Sequence, residues 1–179
     1  LLDHLGIQRF QAIGDSTGGM TLLHMATQQP ERVEAMILVG ATSYFAEATR
    51  GLIEQFTFEG LVPEYLAELR ARHVRGDAQI RSLIEQFRSF RDSYDDMNFT
   101  PPYLGTILAR TLIVHGDRDQ YFPVSIPVEM YRGIPRSYLW IMPNRTHAVL
   151  PEAFGATGAG RELFVSTAEA FLRGDWDAT

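Results

Sequence analysis

The sequence predicts an α/β fold, an open and mostly parallel sheet with helices between its strands and a helical insertion in mid-chain. Three observations carry this. Four short apolar runs, Phe10 to Ile13, Val33 to Val39, Thr111 to His115 and Tyr138 to Met142, have the length and composition of buried strands. Helical patterns lie between and after them. Glycine-, aspartate- or asparagine-bearing turns follow the strands at Gly14, Gly40, Gly116 and Asn144.

Taken in order, Leu1 to Gly6 reads as the tail of a helix, and Phe10 to Ile13 as the first strand. Thr17 to Gln28 is helical, with Leu22, Leu23, Met25 and Ala26 apolar, and Pro30 stops it. Val33 to Val39 shows little alternation, as expected of a parallel strand covered on both faces. From residue 43 to 103 the pattern becomes helical, with pieces at Glu47 to Phe56, Leu61 to His73 and around Ile80. Ile80, Leu83, Ile84 and Phe87 form a stripe at helical spacing, and Arg81 and Glu85 are spaced for a surface pair. Thr100-Pro101-Pro102 ends this insertion. The core is therefore expected in residues 1–42 and 104–179, closed by a helix from Arg161 to Leu172 with Leu163, Phe164, Ala168 and Phe171 on one side.

Composition narrows the function classes. A chain of 179 residues can bury one core, and 45% hydrophobic with 21% charged residues is ordinary for a globular domain. A net charge of −6 argues against nucleic acid or an anionic membrane as partner. With no cysteine there are no disulfides, thiol nucleophiles or thiolate metal sites, which fits a reducing cytoplasm. No apolar run has the length of a transmembrane span. His4, His24, His73 and His115 lack metal-ligand spacing, and His115, at a strand end, is expected to be packed or hydrogen-bonded. Asp92, Asp95 and Asp96 lack the glycine of a calcium loop and read as a solvated face. The glycine-rich run from Gly155 to Gly160 has the wrong spacing for a phosphate loop. The sequons at Asn98 and Asn144 read as chance matches.

The chemistry concentrates in three turns. Gly14-Asp15-Ser16-Thr17-Gly18 is a G-x-S-x-G string between a strand and a helix, where glycines permit a turn that a Cβ would obstruct. The turn lifts the Ser16 hydroxyl above the sheet and aims a helix N-terminus at it. Such a string arises by chance in about one chain of this length in twenty, so its strand-before, helix-after setting carries the weight. A serine hydroxyl needs a base, and the base needs an acid to hold its tautomer. His147 follows the strand ending at Met142, and Asp119 follows the strand ending at His115. Asp117 is expected to form the turn beside it. Aligned parallel strands bring these three turns to one edge of the sheet.

These residues resemble the α/β-hydrolase superfamily. Gly14-Asp15-Ser16-Thr17-Gly18-Gly19 is similar to its nucleophile elbow, with Asp15 where histidine is more usual. Gly116-Asp117-Arg118-Asp119 with Pro123-Val124 is similar to its acid turn, and Asn144-Arg145-Thr146-His147 stands in the place of its histidine loop. The resemblance implies Ser16 as nucleophile, His147 as base, Asp119 as acid and Thr17 N–H in the oxyanion hole. It also implies that residues 43–103 are a cap, with Tyr44, Phe45, Tyr121 and Phe122 as candidate pocket walls. The expected function is hydrolysis of a small carboxylic ester or related acyl compound, with no metal or organic cofactor. The superfamily also contains thioesterases, C–C bond hydrolases, lactonases, peptidases, acyltransferases and cofactor-free haloperoxidases. Serine at the apex argues against haloalkane dehalogenase and epoxide hydrolase chemistry. A rival reading is a non-catalytic binding module on the same scaffold. The superfamily's sheet begins with strands before the elbow, so the resemblance covers its later strands. An N-terminal segment, a separate chain or a second copy is accordingly expected to pair with the Phe10 to Ile13 edge.

Overall fold

In the computed structural model, which describes residues 1–149 and 159–176, the chain divides into two compact units. One comprises Leu1–Ser43 with Phe99–Thr179, the other Tyr44–Asn98. The glycine-rich run at 155–158 lies outside the described residues.

The first unit is a four-stranded parallel sheet in the order β1 (Phe10–Asp15), β2 (Val33–Val39), β3 (Arg110–Gly116) and β4 (Ser137–Met142). β2 and β3 are central, and their apolar runs are buried almost throughout, as both faces are covered. Side-chain alternation sends Ala35, Ile37, Val39, Leu112 and Val114 to one face. There they meet Phe164, Ala168 and Phe171 of the C-terminal helix Ala159–Arg173. Phe171 is completely buried, edge-on to Tyr138 and Trp176. The helix α1 (Thr17–Gln28) crosses from β1 to β2 and buries Leu22, Leu23 and Ala26. Fully burying one such side chain is worth about 1.5–3 kcal/mol, so the sheet's two covered faces dominate this unit's stability.

Between β3 and β4 runs a helix the sequence reading missed, Ser125–Gly133. Its Pro127 sits in the first turn, where the missing N–H and fixed φ do no harm. A short helix, Pro101–Leu104, likewise starts on its prolines, so residues 99–104 belong to the first unit. Two further corrections concern the ends. Leu1 to Gly6 forms hydrogen-bonded turns rather than a helix tail, closing on Gly6 at φ 69°. In the last helix Leu163 faces water while Phe164, Ala168 and Phe171 are buried. β1 lies at one edge of the described sheet, with Ile13 exposed.

The second unit holds three helices, Glu47–Gln55, Pro63–Arg72 and Gly76–Ser89. Ile80 and Ile84 are buried, but Leu83 is exposed, so the stripe is narrower than its spacing suggests. Arg81 pairs with Glu59 and stacks over Phe58 instead of pairing with Glu85. The unit's organiser is Arg50, a buried cation that no local pattern singles out. Its Nη1 donates to the carbonyls of Phe90, Arg91 and Ser93 at 2.8, 2.7 and 3.0 Å, and its Nε to Phe45. It thus satisfies carbonyls left open where the third helix ends, and its charge suits the negative end of that helix.

Candidate active site

The elbow is built by close backbone approach. Ser16 stands between β1 and α1 at φ 50°, ψ −114°, a conformation L-residues seldom adopt and that stores about 1–3 kcal/mol. Its N–H donates to Val39 O at 2.8 Å, tying the turn to β2, and its carbonyl accepts the first bonds of α1 from Gly19 and Met20. A serine at a helix start ordinarily turns its hydroxyl to cap the first N–H groups. Ser16 makes no such bond. Its Oγ donates instead to His147 Nε2 at 2.9 Å.

The glycines around it do not act as the motif suggests. A Cβ on Gly14 would fall 2.5 Å from the Gly18 backbone, and one on Gly19 would fall 2.6 Å from the Ala41 Cβ. A Cβ on Gly18 would meet nothing within 4 Å. The turn therefore needs Gly14 and Gly19, and the second glycine of the G-x-S-x-G string is not the sterically required one.

Asp119 and His147 meet because the turn after β3 and the loop after β4 are pressed together. A Cβ on Gly116 would lie 2.5 Å from Thr146 O. Arg118 N–H donates to Arg145 O at 2.8 Å, and Asp117 N–H to Met142 O at 3.1 Å. Side chains complete the clasp: Asp117 Oδ1 accepts Arg145 N–H at 3.2 Å, and Gln120 Oε1 accepts His147 N–H at 3.3 Å. Asp117 is thus a clasp between two loops rather than the former of its own turn. That turn belongs to Asp119, whose Oδ1 accepts the N–H groups of Tyr121 and Phe122 at 2.8 and 3.0 Å. Its Oδ2 accepts His147 Nδ1–H at 2.8 Å. With Nδ1 carrying the proton, Nε2 is left to accept from Ser16.

The three candidates are therefore hydrogen-bonded in series, Ser16 to His147 to Asp119, across 131 and 28 residues of sequence. The Asp119 side chain has no exposed surface, whereas His147 keeps 19% of its own. Burial pushes the Asp119 carboxyl up, but the bonds from His147, Phe122 and Tyr121 outweigh it, and its pKa falls below the ordinary 3.8. Asp15, beside Ser16, moves the other way. Burial raises its pKa, and only the attraction of His147 opposes this. Thr17 opens α1, where first-turn N–H groups have no partner within the helix.

The four pocket candidates separate. Tyr121 and Phe122 pack edge-on to the His147 ring, with centroids 4.9 and 5.2 Å away, and Phe122 is buried beneath it. Tyr44 and Phe45 belong to the second unit, where Tyr44 bridges to Asn98 and Phe45 is buried against Phe90. His115 is wholly buried at the end of β3, with Nε2–H donating to Phe122 O at 2.9 Å. Two grooves in the first unit lie elsewhere. One of about 670 Å3 flanks β4 beside Trp140 and Trp176, and one of about 810 Å3 opens at the amino ends of the strands. Hydrogen-bond geometry, not concavity, marks the site. Among the described residues no group of three or more histidines or carboxylates is placed to hold a metal, and no helix is long and apolar enough to cross a membrane.

Comparison with known proteins agrees with this architecture. The family model described as the alpha/beta hydrolase fold matches residues 1–75. The 2-hydroxy-6-oxo-6-phenylhexa-2,4-dienoate hydrolase of Comamonas testosteroni is 28% identical over 173 residues, covering 82% of this chain and 59% of that protein. The 2-hydroxymuconate semialdehyde hydrolase of Pseudomonas putida is 27% identical, with the same coverage of 82% and 59%. The structure of the 2-hydroxy-6-oxo-6-phenylhexa-2,4-dienoate hydrolase from Rhodococcus sp. strain RHA1 superimposes with a TM-score of 0.68 at 22% identity. It covers 96% of this chain and 66% of that one. The fold is that of the alpha/beta hydrolases, and the sequence is similar to members of that superfamily over most of its length. It spans about 59% of the length of the curated relatives it matches.

Two outcomes follow from the geometry. Gly14→Ala lowers the unfolding free energy by about 1–3 kcal/mol through overpacking, whereas Gly18→Ala is neutral or stabilises by up to about 1 kcal/mol; urea unfolding of both measures the contrast. Asp119, with a depressed folded pKa, adds stability that is present above 3.8 and lost as pH falls through its folded value. The stability gap between the wild type and Asp119→Asn therefore shrinks when unfolding is repeated at pH 3 instead of 7.

Proposed function

We propose that this chain carries the nucleophile, base and acid of a serine hydrolase, and that its reaction is cleavage of a carbon–carbon bond beside a ketone. The single observation that carries the first part is the bond series from Ser16 through His147 to Asp119. In this reading Ser16 Oγ attacks a carbonyl carbon while His147 Nε2 takes its proton. Asp119 holds the imidazole in the tautomer that accepts, and stabilises the imidazolium that forms. Thr17 N–H and the start of α1 meet the oxygen on which negative charge develops.

Support for the second part comes from the relatives, whose names specify 2-hydroxy-6-oxodienoates and a semialdehyde of that class. In such a compound the C6 ketone takes the place of the ester carbonyl. Once the 2-hydroxyl proton has moved to C5, turning the enol into a 2-oxo group, the bond from C5 to C6 breaks. Its electrons spread onto that oxo group as a dienolate, which takes up the proton held by His147. That leaves an acyl-serine on Ser16. Water, deprotonated by His147, then releases a carboxylic acid. The net reaction consumes one water and yields an acid and a 2-hydroxydienoate.

Hydrolysis of a neutral carboxylic ester is the second reading, and Asp15 favours it. A carboxylate adjoining Ser16 repels anions near the reacting carbonyl. In a dienoate the substrate's own carboxylate sits at the far end of the chain from C6, so this penalty falls on the dienoate only weakly.

One set of assays tests all of this. The chain is mixed separately with a fluorophosphonate probe, 2-hydroxy-6-oxo-6-phenylhexa-2,4-dienoate and p-nitrophenyl acetate. The expected result is labelling of Ser16 and loss of the dienoate absorbance, with both falling by at least about 10³-fold in Ser16→Ala. Turnover of the ester alone selects the second reading, and a folded chain that takes no label refutes both in favour of a binding module.

A further inference from the structure

His115 is a buried histidine that the proposed chemistry does not use. Its side chain has no exposed surface, and its Nδ1 is a buried acceptor with no hydrogen-bond partner. An unpaired buried acceptor is costly, and an apolar side chain would fill this volume without that cost. The other nitrogen has a partner. Nε2–H donates to Phe122 O at 2.9 Å.

Phe122 is tied to the site three ways. Its carbonyl is held by His115, its N–H donates to Asp119 Oδ1 at 3.0 Å, and its ring meets the His147 ring edge-on at 5.2 Å. Fixing this one residue fixes both the carboxylate and the imidazole it orients. We infer that His115 is a positioning residue: its Nε2–H clamps the Phe122 carbonyl to the end of β3, and through Phe122 sets Asp119 and His147 in register with Ser16. The inference rests on the reading of those three residues as the reacting groups.

A neutral ring holds the clamp without competing for Asp119. His115 Nε2 lies 3.6 Å from Asp119 Oδ2, too far for a hydrogen bond but close enough for a charge to matter. A cationic His115 would compete with His147 for the same carboxylate. Burial lowers the His115 pKa, and the nearby His147 lowers it further, which outweighs the favourable pull of Phe122 O and Asp119. The ring thus acts as a dipole, leaving His147 to carry the positive charge that Asp119 stabilises.

Two substitutions separate this role from simple packing. In His115→Gln the side-chain amide nitrogen reaches the position of Nε2 and can still donate to Phe122 O. In His115→Asn the amide reaches only the position of Nδ1, and the clamp is lost. Each variant of the full chain is followed by thermal unfolding, by the rate of fluorophosphonate labelling, and by the low-field proton resonance of the His147 Nδ1–H bond to Asp119. The expected result is a resonance kept in the Gln variant and lost or moved upfield in the Asn variant. Labelling stays within about threefold of wild type for Gln and slows about tenfold or more for Asn, the scale of a misplaced catalytic group. A Gln variant that folds at the wild-type temperature yet loses the resonance overturns the inference, as does an Asn variant that keeps it. If Asn does not fold, the Gln variant alone decides. If the wild type takes no label, the functional reading fails, while the resonance still decides the clamp.

Discussion

Where the backbone at residues 145 and 146 crosses Gly116 there is no room for a side chain, and the candidate site depends on that crossing. It lets the loop after β4 lie directly on the turn after β3. The hydrogen bonds between Arg118 and Arg145, Asp117 and Arg145, and Gln120 and His147 then fix the loop in place. A parallel sheet supplies the rest, because aligned strands β1, β3 and β4 all end at the same edge. The serine, the acid and the histidine come together through backbone packing, with side-chain bonds finishing the alignment.

Opposed forces at the site follow from that packing. Asp119 is stripped of water but surrounded by donors, so it remains ionised and faces His147 as a fixed negative charge. Ser16 holds a strained backbone that turns its hydroxyl away from capping and toward the imidazole. Strain of this kind persists only when neighbouring contacts over-determine it. The bond from Ser16 N–H to Val39 and the Gly14 and Gly19 contacts provide that support.

Much of this was legible in the sequence, for reasons that can be named. The strands announced themselves as apolar runs because both faces of β2 and β3 are buried. Ser16, Asp119 and His147 could be picked out because each follows a strand end, in turns whose composition is distinctive. What was not legible depends on contacts between distant segments. Nothing in the local pattern says that Gly19, not Gly18, meets Ala41. Asp117 and Gln120 look like ordinary turn residues until the histidine loop lies across them, though their place beside Asp119 was a usable hint. Arg50 appears as one more helix charge, since its partners are carbonyls about 40 residues away. The helix at Ser125–Gly133 is short and lies between two strands, and its Pro127 is compatible with a helix only because it falls in the first turn.

In the proposed chemistry His147 and Asp119 act on Ser16 as one unit. A double-mutant cycle tests it most directly, using the rate at which a fluorophosphonate labels Ser16 in the wild type, Asp119→Asn, His147→Ala and the double variant. If the two residues work in series, the double variant labels within about threefold of the slower single variant. Losses that multiply would mean that Asp119 and His147 influence Ser16 independently and would contradict a relay in series.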